Sequence, residues 1–137
     1  MSYSKVNKSF WYDSKVENWD FESKFFALYL LTNHHSNTEG LYKLPLAYIS
    51  FDLKLEKEKI KDLLNYLIKE DFINYDQQNS IVFIKKGLKY NKIKNKSQRK
   101  SAFNKIDNLS QSYLFQQFIK AAEKYDPQFA KFVKKRI

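Results

Sequence analysis

Cysteine is absent from this sequence, which excludes disulfides and every thiolate-based zinc or nucleophilic site. Glycine occurs only at Gly40 and Gly87, too few and too far apart for a Gly-rich phosphate loop. The two histidines, His34 and His35, are adjacent. Neighbours in a regular chain point apart, and no third ligand stands at a useful spacing, so they are read as loop residues and neither metal nor cofactor is expected. The longest apolar run, Phe25 to Leu31, falls well short of the roughly 20 residues that cross a bilayer. The charged opening MSYSKVNKSF lacks the apolar core of a secretion signal. With no catalytic constellation visible, an enzyme is not expected, and neither is a membrane partner.

What the chain does have is positive charge, and it is placed unevenly. The formal net charge is +10. Residues 1–84 carry ten lysines against twelve acids, whereas residues 85–137 carry fifteen Lys or Arg against three acids. Between Lys85 and Lys105 there is no acid at all, and Lys85, Lys86, Lys89, Lys92, Lys94, Lys96, Arg99, Lys100 and Lys105 follow one another closely. A solvated surface normally intersperses both signs. A one-sign stretch of this density suits a polyphosphate partner.

Periodicity supplies the fold. Ile60, Leu63, Leu64, Leu67 and Ile68 recur at helical spacing, and the segment after Asp71 turns β-rich, with a polar turn at residues 76–80 before Ile81, Val82, Phe83 and Ile84. A helix followed at once by a hairpin is the signature unit of winged-helix domains. Upstream, Asp20 reads as the N-cap of a helix whose buried side is expected to include Phe25, Phe26, Leu28 and Leu31. Gly40 to Leu44 form a short strand, and Pro45 opens a second helix with Leu46, Ile49 and Leu53 inward. The aromatic segment from Lys8 to Val16 is read as a short strand or extended arm. The fold class is therefore mainly α with a small β-sheet, a winged helix-turn-helix over residues 1–90. Residues 91–137 add a basic strap and C-terminal helices.

In that extension, Leu88, Tyr90 and Ile93 are expected to touch the core, and residues 96–106 to form a basic helix anchored by Phe103 and Ile106. Leu114, Phe115, Phe118, Ile119 and Ala122 make a regular apolar stripe that needs a partner, either the last helix or a second subunit, and these five are the candidate oligomerisation residues. Asp126 and Pro127 open the last helix, with Phe129, Phe132, Val133 and Ile137 inward.

As a nucleic-acid interface, the helix running from Glu56 to about Asp71 is compromised by Glu58 and Asp62 on its outward side. A tilted docking could use Lys59, Lys61, Asn65 and Tyr66. The turn at residues 76–80 has no Lys or Arg. Most of the grip is therefore expected from residues 85–105, held out as a cationic arm, with little sequence preference. Two competing readings remain: a protein–protein oligomerisation module with little DNA affinity, and a sequence-specific winged-helix transcriptional regulator.

Particular words of the sequence go further. KSFWYDSKVENW, FFALYLLTNHHSNTEGLYKL and VFIKKGLKYN, and within them Tyr29-Leu30-Leu31-Thr32-Asn33, Gly40-Leu41-Tyr42 and Lys89-Tyr90-Asn91, resemble the N-terminal domain of phage replisome organisers, relatives of the DnaD primosome proteins. The resemblance spans about Lys8 to Asn95. It implies a winged helix acting in replication initiation in the cytoplasm of a bacterial host cell. The implied partners are double- or single-stranded DNA, the replicative helicase or its loader, and further copies of the chain. His34 stands where the family pattern has proline, and the second helical domain of full-length organisers has no counterpart here, so helicase recruitment by that domain does not carry over.

Overall fold

A computed structural model describes residues 6–137. Its elements are α1 (Ser9–Tyr12), a 3-10 turn (Val16–Asn18), α2 (Phe21–Thr32), β1 (Leu41–Lys43), α3 (Leu46–Leu53), α4 (Lys57–Lys69), β2 (Ile73–Asp76), β3 (Ile81–Ile84), α5 (Gly87–Tyr90), α6 (Lys96–Ile106), a second 3-10 turn (Asp107–Leu109), α7 (Leu114–Tyr125) and α8 (Pro127–Lys134). The architecture is mainly helical with one antiparallel sheet in the order β1-β3-β2. This is the winged-helix arrangement expected from the α4-to-hairpin pattern.

Several local expectations hold for the physical reasons given. Asp20 accepts a hydrogen bond from the Ser23 amide at 2.8 Å and so caps α2. Asp126 does the same for Phe129 at 3.3 Å, with Pro127 opening α8. The stripe of α4 is buried at Ile60, Leu63, Leu64 and Leu67.

β3 organises the molecule because both of its faces are covered. Val82 and Ile84 point into one apolar cluster with Tyr42, Ile73, Ile49, the α4 stripe and α2. Ile81 and Phe83 point into a second cluster with Leu41, Leu88, Ile93 and residues of α6, α7 and α8. That alternation is the two-residue period of a strand, and burial on both sides explains a strand of four consecutive apolar residues. α7 lies against β2 and β3 and pairs with α8, while α6 packs on β1 and α8.

The C-terminal helices therefore share their core with the sheet. Leu88 belongs to the second cluster and Tyr90 to the first, so no independent core begins at residue 91. The candidate oligomerisation residues need correcting for the same reason. Leu114, Phe115, Phe118, Ile119 and Ala122 are all buried within their own chain, because the outer face of the sheet offers them an apolar surface that the hairpin alone would leave wet. They are not a free face for a second subunit.

Other differences are local. Residues 9–12 form a helical turn rather than a strand, with Ser9 donating to Asn7 Oδ1 at 2.9 Å and only Phe10 buried. α2 is apolar on nearly all sides, so periodicity could not choose its face. It buries Phe26, Ala27 and Leu30, and leaves Phe21 81% and Phe25 52% exposed. Ile137 is exposed as well.

The chain's two glycines meet each other. Gly40 has φ +77°, a conformation costly for any other residue, and a Cβ there would come within 3.2 Å of the Ile84 carbonyl and 3.3 Å of the Gly87 Cα. A Cβ on Gly87 would stand 3.2 Å from the Gly40 Cα. This contact is what lets the start of β1 lie directly on α5. Gly87→Val is expected to cost about 1–3 kcal/mol by overpacking a backbone contact, measured as a lowered urea midpoint with an unchanged slope.

Candidate nucleic-acid interface

The basic stretch is not an arm held away from the body. Leu88, Tyr90 and Ile93 are buried, and the Ile93 amide donates to Asp126 Oδ2 at 3.0 Å, so residues 85–95 are strapped down at both ends. α6 continues from there, capped by Asn95, whose side chain accepts from the Gln98 amide at 2.9 Å. Ala102, Phe103 and Ile106 anchor it on the sheet.

Docking the strap neutralises part of it. Lys85 pairs with Asp71, and Lys86 Nζ lies 3.0 Å from Asp13 Oδ2. Asp13 is held below the usual carboxylate range: its burial opposes ionisation, but hydrogen bonds from Lys86 and the Lys15 amide outweigh it. Asp71 is likewise lowered, chiefly by Lys85. Arg99 is half-buried and donates to Gln128 at 3.1 Å. Tyr90 packs into the core beside Asp13, and burial together with that carboxylate pushes its hydroxyl up to about 12. It is not available to stack on a base.

Lys89, Lys92, Lys94, Lys96, Lys100 and Lys105 differ. All six are exposed, and none forms an ion pair among the described residues. The apolar positions Leu88, Ile93, Ala102, Phe103 and Ile106 hold the backbone down while leaving the lysines between them outward.

The face of α4 is poorer than the strap. Lys59 is taken by an ion pair with Glu22, Lys61 is half-buried, and Tyr66 meets the Trp19 ring edge-on at 6.2 Å. Asn65 is exposed, but so are Glu58 and Asp62.

Beside the lysines runs a feature that spacing could not reveal. A cleft of about 1150 Å³ separates the loop of residues 33–39 from the strap and α6. Asn33, His34, Asn37 and Glu39 line one bank, and Lys92, Lys94, Gln98 and Lys105 the other. Glu39 is 2% exposed, and its Oε2 has no hydrogen-bond partner. Burial pushes its carboxyl up to about 7 against the opposing charge of Lys105. Nothing in the sequence around Thr38-Glu39-Gly40 marks this acid as buried; α5 and α6 close over it from a distance in sequence.

A folded carboxyl that holds its proton more tightly than the unfolded one stabilises the protein at low pH. That contribution is fully present below about 4.5 and disappears as pH rises through about 7. Glu39→Gln, which keeps the neutral form, is expected to add about 2–3 kcal/mol of stability at pH 8 and almost none at pH 4. Urea titrations at the two pH values check it.

No helix among the described residues is long and apolar enough to cross a membrane. Comparison of the chain with protein families, with curated proteins and with solved structures returns no match.

Proposed function

We propose that this chain is a DNA-binding and assembly protein of phage-type replication initiation, gripping phosphates through the lysine face of the strap and α6. The observation that carries the reading is the set of six exposed lysines without an ion pair among the described residues, on a docked surface that has no acid of its own between Lys85 and Lys105. Lysine ammonium groups meet phosphate as point charges, so such a face holds nucleic acid in place and reads little sequence. The replication context rests on the resemblance to replisome organisers, and helicase or its loader would be met through other surfaces.

A second reading has its own observation. Phe21 and Phe25 on α2, with Tyr48 and Phe51 on α3, are large side chains left about half or more exposed, and α4 carries mixed charge, which suits a protein partner better than a phosphate backbone. Titration of unrelated duplex and single strands at two salt concentrations separates the two. A steep loss of affinity with salt supports the phosphate grip. Weak, salt-indifferent binding combined with concentration-dependent self-association favours the assembly module.

A further inference from the structure

The α2–β1 loop turns immediately after Asn33, and that turn undoes the divergence expected of adjacent side chains. Asn33 is buried, donates to the Tyr29 carbonyl and the Tyr42 hydroxyl at 2.9 Å each, and accepts from the His35 amide at 2.9 Å. Ser36 closes the turn by donating from its amide to the Asn33 carbonyl, also at 2.9 Å. The His34 and His35 rings are brought together as a result, their centroids 3.8 Å apart.

A third ligand arrives from α3. His35 Nε2 lies 3.7 Å from Asp52 Oδ2, and one donor atom from each of His34, His35 and Asp52 lies within 4.8 Å of the others. In a tetrahedral zinc site with bonds of about 2.0–2.1 Å, neighbouring donors stand about 3.4 Å apart. The His35–Asp52 edge is nearly at that value, and the exposed His34 needs to close by at most about 1.4 Å. Two further contacts hold the set. The Tyr29 hydroxyl donates to Asp52 Oδ2 at 2.6 Å, as an outer partner orients a ligating carboxylate. The His35 ring stacks on Tyr48, centroids 4.7 Å apart. A simple His–Asp pair would account for His35. It gives no reason for His34, which makes no hydrogen bond among the described residues.

From these three side chains the geometry points to a zinc-class transition-metal site, two imidazoles and one carboxylate, with a fourth position open to water. Mixed nitrogen and oxygen donors of this number suit a borderline dication and not magnesium, which prefers six oxygens. The ion would tie the α2–β1 loop to α3, joining the first helix of the winged helix to the second. Because His34 also lines the cleft, the loop that forms one bank would be fixed by the same ion.

The test uses the tag-free chain of 137 residues stripped with chelator. Titration with zinc chloride in a calorimeter is expected to give one ion per chain and a raised melting temperature, with no response to magnesium chloride. Cobalt(II) is expected to show the visible absorption of a tetrahedral ion. His34→Ala and Asp52→Asn should each abolish both signals, and Tyr29→Phe, which keeps all three ligands, should weaken zinc about tenfold. Circular dichroism verifies that each variant is folded. A wild-type chain that takes up no zinc, or zinc binding that survives both His34→Ala and Asp52→Asn, overturns the site.

Discussion

Changing Lys92, Lys94, Lys96, Lys100 and Lys105 together to alanine is expected to lower affinity for an unrelated duplex by about 10³-fold at low salt and to flatten the salt dependence. Each lysine that neutralises a phosphate releases counterion, so the logarithmic slope is about −0.9 per contact. With all six exposed lysines engaged, wild-type affinity should fall about 10³-fold between roughly 50 and 200 mM salt, and the variant, left with Lys89, should keep a slope near one. The substituted side chains are exposed and form no ion pair among the described residues, so the melting temperature should move little beyond what the loss of the Lys105 charge opposite Glu39 costs, since surface changes of this kind cost within about 0.5 kcal/mol each. Lys85→Ala and Lys86→Ala make the internal control. Their ammonium groups already face Asp71 and Asp13, and their loss should affect the salt slope far less. A wild-type slope close to zero would remove the phosphate grip from consideration.

Phe118→Ala is expected to cost about 3–5 kcal/mol, a large part of the roughly 5–15 kcal/mol that holds a domain of this size together. Phe118 is 0% exposed. Its ring lies edge-on to Phe83 of β3 at 6.1 Å and to Phe129 of α8 at 6.0 Å, with Phe115 tilted beside it at 6.5 Å. Because β3 serves both clusters, damage on one side should be felt on the other. Trp19 is buried in the first cluster, meeting Phe72 edge-on at 5.2 Å and donating to Glu70 Oε1 at 3.0 Å. Trp11, the other tryptophan, packs edge-on against Phe10 of the same cluster, so tryptophan fluorescence reports on the side that Phe118 does not touch. Urea unfolding followed by that fluorescence and by far-ultraviolet circular dichroism should shift together to a lower midpoint. A fluorescence transition left in place while the helical signal is lost early would mean that the extension and the winged helix unfold as separate units.

The elements most legible from sequence are those whose pattern has a single solution. The stripe from Ile60 to Leu67 repeats at 3.6 residues with charge on every other side, so helix and buried face follow together. Asp20 before α2, and Asp126 with Pro127 before α8, mark helix starts because orphan amides need an acceptor at that place and no other. α2 is the counterexample: with apolar residues all round, only contact with α4 decided that Ala27 goes in and Phe25 stays out. The six outward lysines were legible as a basic stretch, and their presentation on a docked surface was not. It depends on Leu88, Ile93 and Phe103 finding the sheet.

By itself the sequence determined the longer helices, the hairpin, the caps and the concentration of positive charge after residue 84, because these are set by neighbours within a few residues; the short turns α1 and α5 it did not. Tertiary structure alone decided what each face meets. The stripe of α7 would serve equally well against a second subunit or against its own sheet, and the apolar underside of β3, which α7 covers, settled it. Lys86 is neutralised by an acid 73 residues earlier, Asp13, and His34 and His35 gain Asp52 only because α3 folds back beside their loop. Burial and charge pairing depend on distance in space, and the chain's local pattern carries no record of that distance.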